Sequence, residues 1–312
     1  MDRAVNRSDK IEAALMRRLE QIYSDALMEA LKKHQAFLKL VKDVADGKKK
    51  PPAKYAGDPE KIAKWKAGFL REQMRQMGLI ESISKDLAAV GTETAEEIRN
   101  AMVDVYAENR EYTTDMIKSA VHTSFSQYDK RQIRVLMQET ESPFAKIAYK
   151  NLGKDTLIRK RLQNEMAMAT LLGESQRDII KRIRKVTGQT AYQAKRVAQT
   201  ERTRIQSQAR YEACQEAADK GVHVVNTWTA RMVNTRDTHA ERNGKKAEQG
   251  KSFPNSVMKY PGDPAGGAAE VINCHCVLVP DVVMLYGKNE LKARSQNPKD
   301  YGLDINLEKK FL

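Results

Sequence analysis

Aromatic side chains are scarce in this sequence: Phe, Trp and Tyr make up 6% of 312 residues, whereas 31% are charged. That balance argues against one thick globule. It favours long, well-solvated helices rich in Ala, Lys, Arg, Glu, Gln and Met. Cysteine is sparse as well. Cys214, Cys274 and Cys276 are the three present, and an odd number with two of them one residue apart is a poor disulfide framework and a better metal pattern. No stretch approaches the roughly 18 consecutive apolar residues of a membrane span, so no membrane partner is expected. Residues 1–20 lack the apolar core of a secretory leader, so synthesis in the cytoplasm of the producing cell is expected. His-Glu-x-x-His, Gly-x-x-x-x-Gly-Lys-Ser/Thr and Gly-x-Gly-x-x-Gly are all missing, which removes the common sequence signatures of zinc peptidases, phosphate-loop enzymes and dinucleotide-binding enzymes.

What is present in excess is positive charge. The formal net charge is +14, which says little about fold but attracts polyanions or an acidic protein surface. Apolar residues reach 41%, enough for a real core.

Residues 9–46 read as one long helix. Ile11, Leu15, Leu19, Ile22, Leu27, Leu31, Leu38 and Val41 recur mostly at helical spacing, and Ser8 or Asp9 can cap its start. Gly47, Lys48, Lys49, Lys50, Pro51 and Pro52 then form a basic linker. Asp58-Pro59-Glu60 is a strong helix start, and that helix stops near Gly78. Further helices are expected at about 92–112, 114–139 and 156–172. A short basic amphipathic helix covers 175–186, with a break at Thr187-Gly188 and a last long helix over about 189–220. Helical periodicity then stops. Residues 223–228 and 271–280 read as strands, and the Gly-, Pro- and Asn-rich stretch 243–268 reads as loop. The expected fold is mainly α: a long-helix N-terminal body followed by a small α+β C-terminal module. Its divisions are an N-terminal helix (1–46), the linker (47–57), the helical body (58–220), the module (221–286) and a polar tail (287–312).

Within the module, Cys274 and Cys276 stand at i and i+2 of the last expected strand, where both sulfurs would project to one face and His275 to the other. With His239 they could form a structural Zn²⁺ site, and Asp237 is the candidate fourth ligand. Buried free thiols remain an equally open reading. A disulfide between such neighbours has poor geometry. Asp237 and His239 could instead be an acid–base pair, but no nucleophile accompanies them. Asp237 could also simply cap a short helix over 238–242, with His239 packed inside it.

Read in order, the residues Ala198-Gln199-Thr200-Glu201, Trp228, Asn234-Thr235-Arg236-Asp237-Thr238-His239, Gly244, Tyr260-Pro261-Gly262-Asp263 and Asn273-Cys274-His275-Cys276 resemble the phage head-morphogenesis family that includes phage Mu protein F. The resemblance covers about residues 190–282. The sequence departs from the family pattern in places: Gln199 and His275 stand where Arg is usual, and Arg236-Asp237-Thr238 before His239 only approximates the family's stretch. The resemblance implies a minor capsid protein of the virion, located in the capsid interior near the portal vertex. Its implied partners are the portal, the major capsid or scaffold protein, and double-stranded DNA bound without sequence preference. Its implied role is in procapsid assembly and in DNA packaging or ejection, not in catalysis.

Phosphate or portal contact is expected from Lys48, Lys49 and Lys50 and from Arg177, Lys181, Arg182, Arg184, Lys185, Lys195 and Arg196. The rival reading is a metal-dependent nuclease or hydrolase built on His239, Cys274 and Cys276. Two thiolates on one metal favour structural duty over phosphodiester chemistry.

Overall fold

In a computed structural model of the chain, residues 2–232 and 235–283 are described. Asn234 and the expected tail 287–312 lie outside the described residues. The helices are α1 (Arg3–Lys33), α2 (Gln35–Ala45), α3 (Pro59–Gln76), α4 (Leu79–Ala120), α5 (Lys130–Glu139), α6 (Pro143–Leu152), α7 (Asp155–Leu171) and α8 (Gln176–Ala218). The module follows as β1 (Val224–Thr229), α9 (Asp237–Arg242), β2 (Lys246–Glu248), α10 (Gly267–Val271) and β3 (Val277–Val282). The protein is therefore mainly α with a small C-terminal sheet, the fold class that the sequence indicates. Among the described residues no helix is long and apolar enough to cross a membrane.

Local chemistry accounts for several helix starts. The Asp58 carboxylate accepts from the Lys61 N–H at 3.0 Å with Pro59 in the first turn, as the sequence suggests. Asp129 and Gln132 form a reciprocal capping box for α5. Ser142 caps α6 by accepting from Ala145 N–H at 3.0 Å, a helix that periodicity alone does not bring out.

Several expected boundaries differ, and the helix expected over 114–139 is interrupted between Ala120 and Lys130. The first long helix is broken at the buried His34, whose backbone leaves helical geometry. The expected start at Thr92 and break at residue 113 are absent, and α4 runs through both. Gly91 is no breaker: a Cβ there would fall 2.0 Å from the Leu152 carbonyl oxygen, so glycine permits a close approach of backbone to helix. Thr113 and Thr114 are buried, and the Thr114 hydroxyl donates to the Glu111 carbonyl at 3.0 Å. Likewise α8 continues through Thr187-Gly188. An interior glycine costs about 1 kcal/mol relative to alanine. Burial of Val186, Thr187 and Thr190 on either side outweighs that cost.

The chain forms two units. One comprises Met16–Glu97 and Ile147–Lys195 and is purely helical. Its core joins Phe37, Leu38, Leu70, Leu79, Ile83, Leu87, Ile158, Leu162, Ile179 and Ile183. The other comprises Met1–Leu15, Ile98–Lys146 and Arg196–Leu312. Its described part holds the sheet, in the order β2-β1-β3 with both pairings antiparallel. Trp228 lies opposite Leu278 in the β1–β3 register. β1 alternates buried and half-buried residues, the period-two pattern of a strand with one covered face. The small sheet does not stand alone on the C-terminal side of residue 220. Val222, Val224 and Val282 pack with Met116, Ile117, Cys214 and Ala217, because three short strands bury too little surface by themselves.

Candidate metal centre

The six-residue helix α9 places His239 and Arg242, three residues apart, on its buried side. Asp237, in its first turn, is exposed. Across from α9 the chain leaves α10 and turns at Asn273, which adopts the left-handed φ of 58°, a conformation asparagine tolerates. Cys274 and Cys276 follow and precede β3. They are not strand residues, so the turn and not a pleat brings both sulfurs to one side. His239 Nδ1 lies 3.5 Å from Cys274 Sγ and 3.4 Å from Cys276 Sγ. The three groups are the metal-capable cluster, each 2% exposed or less. Both cysteines are free thiols, so no disulfide joins them. Asp237 is not among the converging groups.

The other face of the imidazole decides its tautomer. His239 Nε2 is 3.0 Å from Glu270 Oε2. Burial pushes the Glu270 carboxyl up, but hydrogen bonds from Arg242 (2.6 Å) and Thr238 (3.0 Å) outweigh this and hold it below the usual range. A carboxylate accepts only, so Nε2 carries a proton and donates to Glu270, and Nδ1 is the atom that faces the two sulfurs. This is the carboxylate–histidine pairing that orients metal ligands from the second sphere. The dimensions fit as well. Zn–S near 2.3 Å and Zn–N near 2.0–2.1 Å in a tetrahedron give an N···S edge of about 3.5 Å, the spacing present here. Among the described residues no fourth Cys, His, Asp or Glu joins the cluster. The two thiols are not equivalent. Hydrogen bonding from Cys274 lowers the pKa of Cys276 below the ordinary thiol value, and that same bond with burial raises Cys274.

Residues 160–279 match the family model described as phage Mu protein F like protein. This segment is similar to the phage Mu protein F-like proteins. Neither a curated protein nor a solved structure matches the chain.

In the Mu F-like segment, the motif residues mostly fasten the histidine–cysteine corner to α8. Thr200 Oγ1 accepts from the Asn273 N–H at 3.1 Å, and Thr203 donates to the Cys274 carbonyl. Gln199 meets His275 at 2.8 Å, so these two departures from the family pattern contact each other. Arg236 donates to the Glu270 and Ile272 carbonyls. Trp228 is fully buried, edge-on to both His239 and Phe253. Gly244 has φ +75° in the turn before β2. Gly262 has φ +83°, and a Cβ there would sit 2.8 Å from the Arg204 Cα, so the Pro261-Gly262 corner rests directly on α8. Asp263 accepts from the Lys259 and Ala265 N–H groups. Tyr260 packs on Tyr211 at 5.2 Å, and buried Glu201 pairs with Arg204 at 2.7 Å.

Several basic residues of the segment are already occupied. Arg182 bridges Glu165 and Glu174, Lys185 pairs with Glu165 and Lys181 with Asp178. Lys195 pairs with Glu20, and Arg196 is half-buried. Arg177 and Arg184 are exposed and, with Lys181, lie along one stripe of α8. In the earlier loop Lys48 pairs with Asp43, while Lys49 and Lys50 are exposed.

Sequence reasoning passes over Glu270 and a set of buried arginines. Arg202 pairs with Asp9 and reaches Glu12 at 3.5 Å. Arg231 pairs with the same Asp9 at 2.7 Å. Arg210, with no exposed surface, bonds Asp2 at 2.9 Å, Asn109 at 2.8 Å and the Leu278 carbonyl. The available signal is the i, i+8 spacing of Arg202 and Arg210, matched by the acids Asp2, Asp9 and Glu12 at the chain start.

Proposed function

We propose that this protein is a minor component of a phage head, acting in head morphogenesis as a structural part and not as an enzyme. The observation that carries this reading is the coincidence of the Mu F-like segment with a sealed His239–Cys274–Cys276 corner. A site whose ligating atoms are buried and fastened to a long helix suits a staple. Turnover needs an open coordination position that substrate can reach, so the hydrolase reading gains nothing from this geometry. The corner would hold one Zn²⁺ through the Nδ1 of His239 and the two thiolates. The ion would cross-link α9 to the Asn273 turn in a module too small to hold itself by core alone.

The head role places the protein in the virion. Within it, we assign the protein to the capsid interior beside the portal, with the major capsid or scaffold protein as neighbour and packaged DNA as a non-specific ligand. The net charge of +14 and the exposed Arg177–Lys181–Arg184 stripe support that assignment. Co-expression with the portal of the same phage tests it directly: a stable complex on size exclusion is expected, and elution of the two proteins apart would refute portal association. DNA retention should fall steeply with salt, and indifference to DNA at low salt would remove the packaging role. Elemental analysis should find about one zinc per chain, lost in His239→Ala. Full alkylation of Cys274 and Cys276 in the native protein would rule the staple out.

A further inference from the structure

The helical unit carries a second feature unrelated to the metal corner. The C-terminal half of α3, the turn at Gly78, the start of α4 and the middle of α7 enclose an open cavity of about 410 Å³. Its floor is apolar: Met74 and Met166 are buried and Ile80 is half-buried. Its rim carries Arg71, Arg75 and Arg159. Arg75 is held by Glu72 at 2.7 Å and Arg159 by Asp155 at 2.9 Å. Arg71 is exposed and differs from both. Its Nε donates only to the Ala67 carbonyl at 3.3 Å, and among the described residues no carboxylate pairs with it. The Arg159 Nε is buried without a hydrogen-bond partner. The one acid on the lining, Glu81, is paired with Lys85 at 3.2 Å, so it does not neutralise the arginines.

We propose that this cavity is a docking site for an acidic peptide segment that inserts a leucine- or methionine-sized side chain. Carboxylates of such a segment would pair with the free Arg71 guanidinium. Guanidinium groups recognise carboxylates through paired, directional hydrogen bonds. An aliphatic side chain would cover Met74 and Met166, whose flexible thioethers adapt to varied partners. Both elements are needed for the assignment. A nucleic-acid backbone supplies anions but nothing to lay on a methionine floor, and a purely apolar ligand leaves Arg71 unused. The site is independent of the metal corner and of the head-assembly reading, and either can fail without the other.

The test uses the full chain and a fluorescein-labelled peptide of repeated Glu-Glu-Leu-Leu, followed by anisotropy. Saturable binding is expected, weakened about tenfold or more, which is about 1.4 kcal/mol, by Arg71→Glu and by Ala167→Glu. Both positions are exposed on the lining, so the variants should keep the parent circular dichroism. Lys32→Glu, exposed on α1 and outside the cavity lining, should bind the peptide as the parent does. A repeated Glu-Glu-Ser-Ser peptide should bind at least tenfold more weakly. The proposal is overturned by absence of saturable binding, by equal binding of the serine peptide, or by Arg71→Glu binding like the parent. It is also overturned if duplex DNA displaces the peptide from the parent with the same dependence on Arg71, which would make the cavity a phosphate site.

Discussion

Glu270→Gln isolates the contribution of one carboxylate. The amide oxygen can still accept from His239 Nε2, but the charge that holds Arg242 and fixes the tautomer is gone. Zinc affinity should fall about 10–100-fold while saturating stoichiometry is kept, read by competition with a chromophoric chelator. Unchanged affinity would mean that Glu270 does not orient the ligand. His239, Cys274 and Cys276 were legible in the sequence because few residue types bind zinc and their order matches a known pattern. Glu270 was not legible. It sits in α10, thirty-one residues from His239 in the chain, and only the packing of α10 on α9 joins them. Asp237 illustrates the opposite error. It is close to His239 in sequence, yet a two-residue offset on a helix turns a side chain far around the axis, and Asp237 faces solvent.

At the scale of elements, α8 ties the sheet-bearing unit together. Its arginines look like part of a solvated basic face, and the sequence offers no local reason to bury them. Asp2, just before α1, and Asp9 and Glu12 within it supply that reason. Replacing Arg210 by alanine strands Asp2 and Asn109 and should cost about 3–5 kcal/mol in urea unfolding. The control Arg177→Ala, at an exposed position on the same helix, should stay within about 0.5 kcal/mol of the parent. Equal losses in the two would show that the buried pair carries no special weight. Helix ends followed the same division. Asp58-Pro59 acts through the next three residues and was readable. Continuity at Gly91 and Gly188 was not, because it depends on Leu152 packing against one helix and on burial around the other.

For the molecule as a whole, charge sets the acid response. Burial alone would raise Glu216, but hydrogen bonds from the Ser126 backbone N–H, Lys220 and Arg110 pull it from 4.5 down to about 2. Glu270 and Asp2 shift in the same direction. A pKa lower in the folded than in the unfolded state contributes stability that is full above about pH 4.5 and lost as the pH falls through the folded values. The urea midpoint should therefore drop between about pH 4.5 and 2. Glu216→Gln should flatten that drop and lower stability at pH 7 by about 1–3 kcal/mol; a variant with the parent profile would contradict the assignment. By itself the sequence determined the helical character, the excess of positive charge, the residue types of the His239–Cys274–Cys276 cluster and the capped helix starts. Each of these depends on composition or on neighbours within a turn or two. Only the tertiary structure decided which charges remain in water, which arginines become internal, and which carboxylate stands behind His239. Those outcomes rest on desolvation and on pairing across few ångströms, between residues that the chain holds far apart until it folds.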